Sequence, residues 1–590
     1  MNLPKLKWTF KMKRVEDILI DDSVLYIFNL RVDELTDEKD VEGMQNFIAT
    51  FDNFTPVFED DFGEAKFLYM LGNAYSLLNV PQLKEWFSPD LNKVIIHFKK
   101  ALNLLKKRNI DDISQITLES QISTNLGNYL SQQGRFMCAK KFWQRSISLN
   151  NQPIAHTAMY QSELYVAECL NNDESKAHYH YYLAYQSLLN RLELPNDSSL
   201  FNDSYLIFDD EQTNHFKKWF EEAFDENAFE QLYHHYDEEN LTEADIEYLA
   251  WCNDNCLFID ELEIDELRCA LYPDSLTLPT MTCKLNLTLS HHEELVYHAN
   301  FDEIKSDFCY ARHLIFTALN TENNEQSSFN STFKKLDDMT YSIDNIKAQN
   351  LKSAFKILYS LFDKIAYFIN HFYDLNEIEK DKKINFESLF KKLNSKNGWQ
   401  PHQKLSESKN HFLHALFYIL KDVRDIIGHE SVSDWLNPEL AKIYEIRNFI
   451  EHRSFKIIDS LYEDLVSANS VQQIEVNRLI KEKKQYSNEC KALFPEIRQH
   501  KGTEKHQELV EQKNKLDKKI ADIDNMLYEK EKRSKHTLMM TEKDFITQLM
   551  ILAELIRNSI IYLAFSINYE EQNKPKNDED FVWEREVPTK

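Results

Sequence analysis

Two residue types at one spacing stand out as able to do chemistry together: the arginine and histidine of Arg447-Asn448-Phe449-Ile450-Glu451-His452. An imidazole titrates near neutral pH, so it can give or take a proton under physiological conditions. A guanidinium presents a rigid fork of donors that suits an oxyanion. The pair fits acid–base work on an anionic substrate. With 16 arginines and 20 histidines in 590 residues, the spacing alone decides little. A second copy exists in Arg424-Asp425-Ile426-Ile427-Gly428-His429.

The surroundings separate the two copies. At 100° per residue, Ile443, Ile446, Ile450, Ile457 and Leu461 fall on one helical face, the core stripe, with Arg447 at its edge. His452 projects nearly opposite, beside Tyr444, Asn448 and Phe455. A helix with two committed faces predicts two partners, its own bundle and another chain. In the second copy Gly428 sets Arg424 and His429 on either side of a helix end. Arg447 and His452 are therefore the candidate catalytic residues. The plainer alternative is that Arg447 pairs with Glu451 at i,i+4 and His452 is only a surface residue.

Several other chemistries lack their signatures. With 8 glycines in the chain there is no phosphate-cradling loop, and neither His-Glu-x-x-His nor Gly-x-Ser-x-Gly occurs. Cys252 and Cys256 stand four apart, but no second Cys or His pair follows at zinc spacing, so two half-buried helical thiols are expected and no metal. The net charge of −28 argues against stable DNA binding. The acidic run over residues 209–247 reads as a solvated face.

The elements that must position these residues are helices. Few Gly and Pro, with abundant Leu, Lys, Glu, Ile, Asn and Phe, predict a mainly α chain too long for a single core. The first 22 residues lack the apolar core of a secretory signal. Glu554, Arg557 and Asn558 interrupt the apolar stretch 545–567, so a cytoplasmic protein with no membrane partner is expected.

Repeats come first in the chain. A helix start at 121–127 ends in Leu126-Gly127, and Gly134 terminates that helix; Ala139, Trp143 and Ser146 follow, and Pro153 closes the unit. This order resembles TPR repeats, in which small residues let two helices approach and an aromatic fills the gap. Leu71-Gly72 with Tyr75, resuming at Phe98 and Ala101, forms a second unit, and residues 160–188 a divergent third. A TPR stack offers a groove to a protein trigger or regulator. Farther on, helices are expected at 301–319, 351–373, 411–427, from Asn437-Pro438, and at 541–566, with irregular structure or a short strand near 285–290.

Arg447-Asn448, His452, Arg453 and the run after them, late in a multi-helix bundle, resemble HEPN domains (higher eukaryote and prokaryote nucleotide-binding). Phe417-Tyr418-Ile419-Leu420-Lys421-Asp422 on the preceding helix and the fused repeats look like one bacterial branch of that family. The resemblance spans about residues 300–570. It implies a metal-independent, cofactor-free ribonuclease acting in phage defence or as a toxin, and a homodimer whose paired motifs form one cleft. RNA carries its own nucleophile in the 2′-hydroxyl; DNA does not. On that reading His452 exchanges protons with the 2′- or 5′-oxygen, Arg447 stabilises the charged phosphorane, and Asn448 supports the phosphate or His452. Rival readings are a non-catalytic protein that dimerises or binds nucleotide, and a toxin neutralised by a partner antitoxin.

The expected organisation is a helical segment at 1–60, TPR-like repeats at 61–190, an acidic connection at 191–300, and a HEPN-like bundle at 301–570. A helical hairpin at 466–540 interrupts the bundle, and a tail follows at 571–590. Stripes at Val476, Leu479, Tyr486, Cys490 and Leu493, and at Leu509, Leu516, Ile520, Ile523 and Leu527, mark that hairpin. Residues 471–536 carry 16 Lys or Arg against 12 Asp or Glu, net +4, which leaves −32 for the rest. A solvated coiled-coil arm is expected, or one that guides RNA or docks a partner.

Overall fold

In the computed structural model the described residues are chiefly 17–51, 55–79, 89–106, 112–170, 174–194, 211–225, 242–260, 292–322, 342–373, 403–423, 438–459, 504–534 and 537–573, with shorter runs between them, including much of 475–500. The chain is mainly α, as its composition predicts. It divides into two compact units: residues 1–306, 361–441 and 554–590 form the first, and 307–360 with 442–553 the second. These limits are not the sequence-based boundaries. Helices α11 (His292–Leu319), α12 (Ile346–Phe372) and α16 (Glu542–Asn573) each have residues in both units.

The first unit opens with strand β1 (Asp17–Leu19), helices α1 (Asp22–Asp37) and α2 (Val41–Thr50), and strand β2 (Thr55–Val57), which pairs parallel with β1. The sequence had suggested helix alone here, because a three-residue strand is too short to show a period of two. Asp21 starts α1 by accepting from the Ser23 and Val24 backbone N–H groups, both at 3.0 Å.

Helices then pair in chain order: α3 (Asp61–Asn79) with α4 (Pro89–Leu105), α5 (Ile113–Gln132) with α6 (Phe136–Asn150), and α7 (Pro153–Cys169) with α8 (Glu174–Glu193). Helix α5 begins at Ile113, earlier than the expected 121, because Asp112 caps it through Ser114 N–H at 2.9 Å. The Phe98 ring lies against Gly72 and the Trp143 indole against Gly127, so close that a Cβ at either glycine would overlap the ring. Gly134, at φ +77°, ends α5, and Pro153 occupies the first turn of α7, where its missing N–H costs nothing.

Helix α9 (Glu211–Ala223) lies in the acidic stretch; there Phe220 stacks on Tyr185 of α8 at 4.4 Å. Helix α10 (Glu243–Asp254) carries a Thr242–Asp245 capping box. Cys252 is buried on α10, whereas Cys256 is exposed beyond its end at φ +50°, so the two thiols do not share a helix as expected. The 285–290 segment lies outside the described residues.

The helix pairs do not stand alone. Helix α13 (His411–Val423) and the last part of α16 belong to the same unit. Phe136 of α6 meets Phe412 at 5.8 Å, Tyr562 at 5.5 Å and Phe565 at 5.7 Å. Arg135, 2% exposed, donates to Asp422 at 2.6 Å. Asn568 Nδ2 donates to the Cys169 carbonyl at 2.8 Å. Three charged or polar side chains from α6, α7 and α8 are buried together. Lys140 Nζ lies 2.7 Å from Glu163 Oε1, and His180 Nδ1 lies 2.6 Å from Glu163 Oε2. Helix α16 is long and apolar enough to cross a membrane by length and composition, and 83% of its most apolar window is buried inside the protein.

The second unit contains helix α14 (Pro438–His452) from residue 442 onward, strand β3 (Ser454–Ile458), helix α15 (Glu504–Ser534), strand β4 (Thr537–Thr541) and the first part of α16. Strands β3 and β4 pair in parallel, Ser454 with Thr537 through Ile458 with Thr541. Ser342 bridges Ile458 in antiparallel sense. Between the strands stands the hairpin. Lys483 meets Asp524 at 2.8 Å, Lys519 lies over Tyr486 at 4.8 Å, Cys490 Sγ reaches Asp517 at 3.4 Å, and His506 contacts the Ile497 carbonyl at 3.2 Å. Partners rise on one side as they fall on the other, which is an antiparallel pairing. Leu479, Cys490, Leu509, Leu516 and Ile523 of the two stripes are buried along it. Its second helix ends at Ser534, just before β4.

Candidate functional site

The site is built at the end of α14. Ile443, Ile446 and Phe449 bury one side of this helix, while Ile450 is only half-buried. The expected stripe through Ile457 and Leu461 fails because the helix stops at His452 and the chain turns at once into β3. Leu461 lies outside the described residues. Ser454, Phe455, Lys456 and Ile457 alternate between half-buried and buried, the period-two pattern of a strand. Phe455, expected beside His452 on an outward face, is instead buried against the Phe545 ring at 4.9 Å. The Lys352 ammonium holds the Phe455 carbonyl at 3.1 Å. Of the proposed outer face, Tyr444 is exposed and Asn448 half-buried.

Arg447 is half-buried, its guanidinium 5.6 Å from the Tyr359 ring centre. Its Nη1 donates to Asn448 Oδ1 at 3.3 Å, a long bond, and its Nη2 lies 3.0 Å from Glu451 Oε2. Its Nε is buried with no hydrogen-bond partner among the described residues. His452 is 63% exposed, and its Nε2 lies 3.7 Å from the same Glu451 Oε2. One carboxylate oxygen thus stands between the two candidate residues. Arg453 covers the Phe449 ring at 5.0 Å, closing the apolar side behind them.

The structure therefore brings Arg447, Asn448 and His452 together. It also contains the Arg447–Glu451 pair of the plainer reading. The bridging position of Glu451 was missed, although two signals held it: i,i+4 spacing to Arg447 and adjacency to His452. A cation in the last helical turn, as His452 becomes on protonation, faces the negative end of the helix dipole. Arg424 and His429 lie outside the described residues. Among the described residues no group of three or more His, Cys, Asp or Glu side chains could hold a metal ion.

Comparison with known proteins bears on this helix directly. No curated protein and no solved structure matches the chain. Residues 288–492 match the family model described as LA2681-like HEPN, a span that includes all of α14 and β3 and runs into the first half of the hairpin. The helix end carrying Arg447, Glu451 and His452 thus lies inside the segment that matches this HEPN family model.

Proposed function

We propose that this chain is a metal-independent endoribonuclease, an effector of phage defence or a toxin, with Arg447 and His452 as its catalytic residues. The observation that carries this reading is their arrangement: an exposed imidazole and a partly buried guanidinium share one anion on a helix of the HEPN segment. A phosphodiester is the corresponding anion of the substrate. The ribose 2′-hydroxyl attacks the adjacent phosphorus as a base takes its proton. The phosphorus–5′-oxygen bond breaks, and the departing oxygen receives a proton. The products are a 2′,3′-cyclic phosphate and a 5′-hydroxyl. Arg447 stabilises the equatorial oxygens, and Asn448, which accepts from Arg447, holds the fork in place. His452 makes one of the two proton transfers and the same histidine of a second copy the other, so the active species is a homodimer acting in the cytoplasm. The consecutive pairs α3–α4, α5–α6 and α7–α8 serve as TPR-like repeats through which a protein trigger acts.

The Arg447–Glu451 ion pair favours a second reading, in which the domain only dimerises or binds nucleotide, or the chain is a toxin neutralised by a partner antitoxin. RNA incubated with purified protein in excess EDTA separates these. Cleavage that leaves cyclic phosphate ends, and that fails on RNA with 2′-methoxy sugars, is the expected result. Cutting of the 2′-methoxy strand, loss of cutting in EDTA, or no cutting at all overturns the proposal.

A further inference from the structure

Glu451 has no part in the chemistry just described, yet it occupies its centre. The guanidinium offers an acceptor one complete edge, formed by Nε and Nη2. Glu451 takes only Nη2, at 3.0 Å, while the buried Nε of the same edge has no acceptor among the described residues. A buried donor left unmade is costly, and the ordinary way to fill this edge is two oxygens of one anion. Glu451 reaches this edge through Oε2 alone, and the same oxygen lies 3.7 Å from His452 Nε2. A phosphodiester has two non-bridging oxygens and is not anchored to the helix backbone. The pair that would have to open is a partly exposed i,i+4 ion pair, a weak kind.

The geometry points to Glu451 as a built-in competitor for the RNA phosphate: its carboxylate occupies the anion seat between Arg447 and His452, and RNA binds by displacing it. This rests on the ribonuclease reading for the identity of the anion. Glu451 is a gating residue, touching the reacting groups only when substrate is absent. It lowers affinity for stray anions and sets a threshold that an RNA strand must exceed.

The test compares two charge-equivalent variants. Glu451→Gln removes the competitor, whereas Glu445→Gln removes one exposed carboxylate from the same helix and leaves the described contacts of Arg447 in place. Each changes the net charge by +1, so general steering changes alike. Binding is read by fluorescence anisotropy on a short RNA with every 2′-position methoxy, so that no cleavage intervenes, with circular dichroism confirming the fold. Glu451→Gln is expected to bind about three- to tenfold tighter than the parent protein and Glu445→Gln within twofold of it. Equal or weaker binding by Glu451→Gln, an equal gain in Glu445→Gln, or no binding by any of the three overturns the gate. Cleavage of unmodified RNA is measured beside it. If Glu451→Gln binds tighter and none of the proteins cuts, the gate stands and the ribonuclease reading falls. If all three cut but bind equally, the reverse holds.

Discussion

Lys140, Glu163 and His180 in the first unit, and Arg447, Glu451 and His452 in the second, are each a cation, a carboxylate and an imidazole with the carboxylate between. The members of the first set are 2%, 1% and 0% exposed; those of the second are 23%, 32% and 63% exposed. Burial alone changes what the same three groups can do. In the first set every charge has left water at a cost of several kcal/mol, recovered only through close contacts of 2.7 and 2.6 Å. Burial pushes the Glu163 carboxyl up, but Lys140 and His180 outweigh it and hold it down at about 2. Such a set cannot exchange a partner without unfolding its surroundings. In the second set water screens the charges, the contacts are looser, and an incoming anion can replace the carboxylate. One set holds three helices together; the other is open to solvent.

The largest effect should come from breaking the buried set. Glu163→Gln leaves the Lys140 ammonium in the core without its counter-charge, a loss expected to be about 3–5 kcal/mol. Chemical denaturation should show a much lower midpoint, or no folded protein at all. Lys140→Met combined with Glu163→Gln should recover much of that loss, because no buried charge is then stranded. A double variant as unstable as the two single changes summed would mean the three groups do not act as a unit.

At the exposed set the corresponding loss is of rate. His452→Ala should lower RNA cleavage by about 10²–10⁴-fold, the usual share of a general acid or base, with an unchanged melting temperature. A full rate in the variant would remove His452 from the mechanism, and a lowered melting temperature would make it a structural residue.

Acid should separate the two regions further. Burial holds the His97 and His414 imidazoles down, each at about 4 against an ordinary 6.5. Their folded pKa values lie below the unfolded ones, so the unfolded chain takes up these protons first. Stability from these two groups is complete above pH 6.5 and is lost as pH falls toward 4. Glu163 adds a second loss between 4.5 and about 2. Unfolding free energies from urea titrations at pH 7.5, 5.5 and 4.5 should decline by a few kcal/mol in total; a flat profile would show that neither imidazole is held neutral.

How much of this was legible in the sequence follows from the range of each interaction. Gly127 with Trp143 and Gly72 with Phe98 were readable, because a small residue and a ring at repeat spacing leave a local mark. The hairpin was readable because its stripes keep a helical period over many residues. Strands β3 and β4 were not: five residues barely express a period of two, and their partners are about 80 residues apart. Phe455 was assigned to the helix for that reason. Lys140, Glu163 and His180 carry no local signal at all, since each looks like a surface residue until three helices enclose it. Arg447 and His452 were singled out by type and spacing, yet Glu451 between them was read only as the sign of an idle ion pair.

The smallest effect is the one that isolates the comparison. Glu451→Gln is the same chemical change as Glu163→Gln, in a set of the same three group types. Exposed i,i+4 pairs contribute about 0.3–0.5 kcal/mol, and removing one charge from the last turn of a helix should, if anything, relieve repulsion with the helix dipole. Folding stability should therefore change by no more than about 0.5 kcal/mol, several-fold less than at Glu163. Salt offers an internal check: raising ionic strength should erase even that small difference, because the pair is open to screening, while leaving most of the Glu163 deficit in place. A loss above about 2 kcal/mol in Glu451→Gln, persisting in high salt, would mean that Glu451 is part of the fold. It would then be no exchangeable anion, and the contrast between the two sets would be lost.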